Sequence, residues 1–224
     1  MSLNNKIALI TGASSGIGRA TALLFAREQA QIALVGRKRE ALQAVQDEIL
    51  KANGRSFIAL ADVSHQEQCQ RVVQQTVEHF GGLDILVNAA GVFASGPLTA
   101  TTPEAWNVMM NVNLNSVFYM MLPAVPHLQK RKGNIVNISS VTGTRSFPNV
   151  LAYCVSKAGV DQLTRCAALD LASSGVRVNA VNPGVVVTNL HRRSGMEETA
   201  YAAFLEHSKT THPMGRVGTA EEIA

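Results

Sequence analysis

The stretch from residue 7 to residue 29 constrains this chain more than any other. Residues 7–10 form a short apolar run that ends in Thr11-Gly12-Ala13-Ser14-Ser15-Gly16-Ile17-Gly18, and a helical pattern follows over residues 19–29. Strand, glycine-rich turn and helix in that order is the context that turns such a motif into a phosphate cradle. Glycine permits the tight turn and lets backbone N–H groups approach an anion at the helix N-terminus. The spacing here is G-x-x-x-G-x-G rather than G-x-G-x-x-G. Glycine turns between strands and helices are also ordinary punctuation, so the motif alone does not decide function.

The same alternation continues down the chain. Strands are expected at residues 31–36, 57–61, 85–87, 135–138 and 176–181, with helices at 39–51, 66–80, 103–129 and 153–172 between them. The strands are continuous apolar runs, the pattern of a parallel sheet covered by helices on both faces. The expectation is one domain over residues 1–224, an α/β three-layer fold. Pro123 and Pro126 should bend or end the long helix that starts at Thr102-Pro103-Glu104. Asn113 stands mid-helix among apolar neighbours, either a satisfied structural amide or a functional one, since a buried unpaired amide is costly. Residues 189–218 are polar and irregular, with a short helix expected at 197–207, and read as a lid over the strand ends.

Composition removes several alternatives. At 224 residues, 46% hydrophobic and 16% charged, the chain can bury a sizeable core. No continuous apolar run approaches the roughly eighteen residues of a membrane span, and the N-terminus enters a strand without a signal-peptide core. Cys69, Cys154 and Cys166 are scattered, as expected of reduced thiols in a cytoplasmic protein. The six histidines lack metal-ligand spacing, so no metal is expected. The net charge of +4 gathers in residues 37–39, 130–132 and 192–193 without interleaved aromatics, which argues against nucleic-acid binding. The second cluster closes a helix, where cations complement the macrodipole.

Beyond residue 36, where an NAD-binding unit places an acid for the ribose hydroxyls, this chain has Gly36-Arg37-Lys38 and no acid before Glu40. A basic pair there suits the 2′-phosphate of NADP, and at a helix start it otherwise opposes the dipole.

Residues 134–157 carry the chemistry. A buried strand delivers Ser139 and Ser140 to its C-terminal end, and a later helix carries Tyr153 and Lys157 four residues apart on one face. A free Tyr has a pKa near 10, and an ammonium beside it is expected to lower that value. A shift of two to three units needs roughly 3–4 kcal/mol of local electrostatics. The Ser140 hydroxyl could hold a carbonyl while Tyr153 moves its proton. Tyr-x-x-x-Lys by itself is a common chance pair on a helix surface, so its weight comes from the company it keeps.

Together these pieces resemble the short-chain dehydrogenase/reductase family. The elements are Thr11-Gly12 to Gly18, Asp62, Asn88-Ala89-Ala90-Gly91, Asn113, Ser140, Tyr153-Cys154-Val155-Ser156-Lys157, and Pro183-Gly184 with Thr188. Each is modest alone, but their joint order and spacing are highly specific. Ala90 stands where many members have a second Asn. The resemblance implies an open, doubly wound, Rossmann-like parallel sheet with NADP (NADPH) across the strand C-termini. It implies a catalytic tetrad of Asn113, Ser140, Tyr153 and Lys157. Ser140 is chosen over Ser139 because the family places twelve residues between Ser and Tyr. In the family Tyr donates a proton to the substrate oxygen and Lys lowers the Tyr pKa and holds the nicotinamide ribose. Ser polarises the carbonyl, and Asn anchors a water that relays protons to Lys. Gly12, Ser14, Ser15, Gly16, Ile17 and Gly18 would cradle the cofactor's phosphates, and Arg37 and Lys38 would take its 2′-phosphate. Asp62 would meet the adenine ring, and Val63 would belong to the same cofactor site. Asn88, Ala90, Pro183, Gly184, Val186 and Thr188 would complete the cofactor site, with the carboxamide at Val186 and Thr188.

The expected function is NADP-dependent interconversion of a carbonyl and a secondary alcohol, acting on a small molecule. Two alternatives stand beside it: reduction of 3-oxoacyl groups on an acyl-carrier protein, and a non-catalytic NADP-binding sensor or scaffold. Family members usually continue for another helix and edge strand, so a further 25–35 residues or so are expected beyond Ala224, and with them a homodimer or homotetramer.

Overall fold

In the computed structural model, which describes residues 3–224, six strands form one all-parallel sheet. They are β1 (Ile7–Thr11), β2 (Gln31–Gly36), β3 (Arg55–Leu60), β4 (Ile85–Asn88), β5 (Asn134–Ile138) and β6 (Arg177–Val181). Their spatial order is β3-β2-β1-β4-β5-β6, so the chain reverses direction across the sheet between β1 and β4. In doubly wound sheets that reversal opens a crevice at the strand C-termini, where ligands bind.

Helices α1 (Gly16–Arg27), α2 (Arg39–Lys51), α3 (Gln66–Phe80), α4 (Pro103–Met110), α5 (Ser116–Arg131) and α6 (Leu151–Leu171) cover the sheet. Apolar β residues alternate between two cores. Leu9, Ala33, Leu86 and Ile135 pack on the side holding Val72, Met120 and Val160, whereas Ala8, Ile10, Ile32 and Val87 pack with Ala22, Val45 and Ile49. This is the covered parallel sheet that the apolar runs imply.

Several boundaries differ from the sequence reading. Helix α1 begins at Gly16 rather than residue 19, so the last three residues of the glycine motif form its first turn. Strand β3 begins at Arg55 and ends at Leu60. Pro123 and Pro126 do not end α5, which continues to Arg131. Burial of Val117, Met120, Met121, Ala124 and Leu128 outweighs the hydrogen bonds that the prolines remove. Between α4 and α5 the chain makes a wider π turn, Asn111–Asn115, that no sequence pattern announces. The run Pro103–Arg131, at 29 residues and mean hydropathy 1.2, is by length and composition long and apolar enough to cross a membrane, although Asn and Glu residues interrupt it. Here it lies against the sheet, with its buried face in the core beside α3.

After β6 come α7 (Leu190–Arg193), α8 (Glu198–Thr211) and α9 (Ala220–Ile223). The lid thus carries one helix more than expected, and α8 is longer than the expected 197–207. A capping box between Thr219 and Glu222 starts α9.

Candidate active site

The glycine turn is built by contacts that leave no room for side chains. Gly12 has φ +65°, and a Cβ there would stand 2.8 Å from the Ala89 carbonyl oxygen and 2.9 Å from Ala90 Cα. A Cβ on Gly18 would meet the Gly12 carbonyl. The turn is therefore pressed onto the end of β4. Thr11 Oγ1 fixes the same junction by accepting from the backbone N–H groups of Ala89 and Ala90, at 3.0 and 3.1 Å. At the N-terminus of α1 no side chain caps the first turn, and no acid stands in it. Unfilled N–H donors in a side-chain-free cradle fit an anionic phosphate group. Ser14, Ser15 and Ile17 lie in this turn, and Thr188 reaches over it from the loop after β6, 3.3 Å from where a Gly16 Cβ would be.

At the end of β2, Arg37 is largely exposed and pairs with Asp62 across 3.6 Å. Lys38 occupies the N-cap position of α2 without capping it. Arg37, Asp62, Gln68 and Arg71 line a shallow cavity of about 360 Å³. Burial alone would raise the Asp62 carboxyl, but the two hydrogen bonds from Ser64 and the Arg37 charge outweigh it and hold the pKa low. Two guanidinium groups, Arg37 and Arg71, thus line this cavity.

Asn88 and Val63 do not present side chains to such a ligand. The Asn88 amide donates to Asn137 Oδ1 at 2.9 Å, directly across the β4–β5 register, and Asn137 donates in turn to Thr164 on α6. Val63 packs into the core. Both side chains are buried, which leaves the main chain of these two positions to face a ligand. Ala90 follows β4 directly.

Ser140, Tyr153, Lys157 and Asn113 come together beside Gly91. A Cβ on Gly91 would lie 3.4 Å from Asn113 Oδ1 and 3.9 Å from Lys157 Nζ. Lys157 Nζ donates to the Ile138 carbonyl at 2.8 Å and stands 5.7 Å from the Tyr153 ring centre. Ser140 accepts from Thr142 N–H at 3.1 Å, and its hydroxyl acts on the Tyr153 phenol. Ser139 turns the other way and donates to the Lys157 carbonyl at 3.2 Å. The structure therefore separates the two serines as the spacing argument did.

Asn113 is a satisfied amide. Its Oδ1 accepts from Val92 N–H at 2.8 Å, and its Nδ2 donates to the Val92 carbonyl at 3.0 Å and to Ser156 Oγ at 3.1 Å. Its side chain thus clamps the strand-end loop, and any water it anchors must be held by the main chain.

The electrostatics correct one expectation. Burial pushes the Tyr153 phenol up to about 12, opposed by the Ser140 hydroxyl and reinforced by Cys154. Burial also pushes the Lys157 ammonium down to about 8, opposed by Asp161. Lys157 was expected to lower the Tyr153 pKa. Desolvation wins in this arrangement: Lys157 donates to the Ile138 carbonyl, and the group that hydrogen-bonds the phenol is the Ser140 hydroxyl.

A family model described as short chain dehydrogenase matches residues 6–199. The chain belongs to the short-chain dehydrogenase/reductase family. A 3-oxoacyl-acyl-carrier-protein reductase of Thermotoga maritima is 38% identical to this short-chain dehydrogenase over 225 residues, covering 100% of the chain and 89% of that relative. A cyclohexanol dehydrogenase of Acinetobacter sp. is also 38% identical, covering 99% and 85%. Among solved structures, a short-chain dehydrogenase/reductase of unknown function from Caenorhabditis elegans, crystallised with cofactor, superposes with a TM-score of 0.93 at 35% identity, covering 99% and 86%. The family uses a nicotinamide dinucleotide, and the glycine cradle described above fits one.

Sequence reasoning missed how the lid of this short-chain dehydrogenase is tied down. His212, at the end of α8, accepts the Val185 N–H on Nε2 at 2.8 Å and gives its Nδ1 proton to the Ser208 carbonyl at 2.7 Å. Only a glycine fits beneath that ring at position 184. Val186 bridges to Gly218, and the Val141 N–H bonds the Pro183 carbonyl. A further ring cluster connects the lid to the site: Phe93 contacts Tyr153 edge-on at 5.1 Å and His191 at 4.7 Å. No spacing rule predicts contacts between a loop after β4 and a lid helix.

Proposed function

We propose that this short-chain dehydrogenase is an NADP-dependent oxidoreductase that interconverts a carbonyl and a secondary alcohol on a small molecule. The observation that carries the reading is the meeting of Ser140, Tyr153 and Lys157 at the end of β5, beside a side-chain-free phosphate cradle. A nicotinamide dinucleotide, held by the Gly12–Gly18 turn, would supply the hydride for the carbonyl carbon. Ser140 donates a hydrogen bond to the carbonyl oxygen and orients it. Tyr153, held neutral by its burial, is an O–H donor at neutral pH and delivers its proton to the developing alkoxide. Lys157 stands behind the phenol to resupply the proton and to bind the nicotinamide ribose. The Asn113 turn holds the water through which Lys157 is reprotonated. In the oxidative direction Tyr153 takes the proton back.

Arg37 and Lys38 support NADP over NAD, since no acid follows β2 before Glu40 and Asp62, the carboxylate in that cavity, is paired with Arg37. Exposed Val108, Phe118 and Leu122 on α4 and α5, with Val155 and Leu169 on α6, are apolar surface that a second copy would cover in a homodimer or homotetramer. Turnover of a panel of ketones and aldehydes, with NADPH and NADH in parallel, tests the reading. A non-catalytic sensor would bind NADPH and turn over none of them.

A second reading rests on the Thermotoga maritima relative, which is named as a reductase of carrier-linked 3-oxoacyl chains. Lys130 and Lys132 flank Arg131 at the end of α5, and Arg131 is engaged with Asp84 at 3.2 Å. Salt-sensitive turnover of carrier-linked chains, with no turnover of free ketones, would favour it.

A further inference from the structure

One turn beyond Lys157 on α6 stands Asp161, a carboxylate only 5% exposed that has no part in the chemistry above. Both of its oxygens receive the side-chain N–H of Asn182, at 3.0 and 2.9 Å. The same Asn182 nitrogen donates to the Ser140 backbone carbonyl at 2.9 Å. An amide NH₂ has two hydrogens, so one goes to Ser140 and the other is shared by the carboxylate. Asp161 thereby fixes the rotamer of Asn182, and Asn182 fixes the backbone of Ser140.

A second contact holds the same turn. Residues Val141–Gly143 form a 3₁₀ turn directly after Ser140, and a Cβ on Gly143 would collide with Asp161 Oδ2 and lie 3.0 Å from the Lys157 carbonyl. The turn carrying Ser140 is therefore pressed onto α6 at the level of Lys157 and Asp161. Burying a carboxylate costs several kcal/mol, more than a neutral side chain would in the same packing.

Charge is the other half of the arrangement. The titratable groups facing Lys157 are Tyr153 and Asp161 on its own helix. From β5 it meets the Ile138 carbonyl, and across the position of a Gly91 Cβ it faces the Asn113 amide of the π turn, neither of which titrates. Cys154 acts on Tyr153, and Arg165, one turn past Asp161, is engaged with Gln162. Asp161, one turn along the same helix and not in direct ion-pair contact, is thus a negative charge that opposes the effect of burial on the Lys157 ammonium.

We infer that Asp161 is a positioning residue of this site, which holds Ser140 in place through Asn182 and supplies the counter-charge for the Lys157 ammonium. The inference rests on the proposed roles of Ser140 and Lys157. It predicts two separable effects. Asp161→Asn removes the charge, and Asn182→Ser removes the bridge while leaving the charge.

The test measures kcat and KM against pH for NADPH-dependent reduction of cyclohexanone and of acetoacetyl-coenzyme A. The Lys157 signal is followed by NMR with ¹³C-labelled lysine, assigned with Lys157→Met, and thermal unfolding checks each fold. Asp161→Asn is expected to lower kcat about tenfold to a hundredfold and to move the Lys157 titration down by about one pH unit, with the alkaline limb of kcat following it. Asn182→Ser is expected to lower kcat about tenfold with the Lys157 titration unmoved. KM for NADPH should stay within about twofold in both, because neither variant touches the cradle. Wild-type kcat and an unmoved Lys157 titration in folded Asp161→Asn would overturn the inference, as would loss of thermal stability alone in both variants. If Asp161→Asn does not fold, Asn182→Ser decides by its kcat. Tyr153→Phe, run alongside, separates the two claims. If it retains turnover, the roles assigned to the site are wrong. If it is inactive while both new variants match wild type, only the inference falls.

Discussion

Lys157 Nζ lies 5.7 Å from the centre of the Tyr153 ring and gives its hydrogen bond to the Ile138 carbonyl at 2.8 Å. The two groups to which we assign the proton transfer are neighbours without being directly bonded. Tyr153→Phe removes only the hydroxyl and leaves the ring packed against Phe93. Turnover is expected to fall by about 10²–10⁴-fold with NADPH affinity retained, measured by steady-state kinetics and cofactor fluorescence. Lys157→Met is expected to impair both.

The same pair sets a pH dependence of stability. Lys157 is pushed down from 10.5 to about 8, so between those values the unfolded chain holds a proton that the folded protein has lost. Its contribution to stability therefore rises with pH through that window. Tyr153 is pushed up from 10.0 to about 12, so its contribution falls as pH rises between those values. Urea denaturation of wild type and Lys157→Met should thus show a stability difference that shifts in favour of wild type from about pH 8 to pH 10. A difference that does not change over that range would contradict the burial of the ammonium.

Arg37 is exposed, and its partner Asp62 is 3.6 Å away, so it can turn to a phosphate at little cost. A charge-assisted hydrogen bond contributes about 1.5–3 kcal/mol. Arg37→Ala should weaken NADPH binding roughly tenfold to a hundredfold and leave NADH binding nearly unchanged, as read by titration calorimetry. Equal use of both cofactors by wild type would remove Arg37 from this role.

Gly12 and Gly81 both have positive φ, but only Gly12 is also hemmed in by backbone. Gly81→Ala should cost about 1–2 kcal/mol from its left-handed conformation alone. Gly12→Ala adds a collision with Ala89 and Ala90, about 1–3 kcal/mol more, at about 2–4 °C of Tm per kcal/mol. Cofactor binding should be lost only in the Gly12 variant. Equal Tm values for the two variants would show that the turn can move away.

Much of this was legible in the sequence because it is local. The apolar runs of β1, β2 and β4 declared a covered parallel sheet, and the glycines declared a turn too tight for side chains. Tyr153 and Lys157 are neighbours because four residues is one helical turn. What that spacing did not carry was burial, so the direction of the Tyr153 shift came out reversed. The π turn at Asn113 was invisible because its composition is that of an ordinary helix. Pro123 and Pro126 misled because their cost is local, whereas the burial that sustains α5 is tertiary. The Asp161–Asn182–Ser140 link joins residues from a helix, a strand end and another strand end, which only the sheet order brings together. Its one local sign was an acid four residues past Lys157.

The most direct test of the account is NADPH oxidation over a carbonyl panel that includes cyclohexanone and acetoacetyl-coenzyme A, run side by side with wild type and Tyr153→Phe. The account predicts turnover of at least one carbonyl by wild type, with NADPH preferred to NADH, and near-complete loss in the variant while NADPH still binds. Turnover by Tyr153→Phe at the wild-type rate, or NADPH binding by wild type without turnover of any carbonyl, would contradict it.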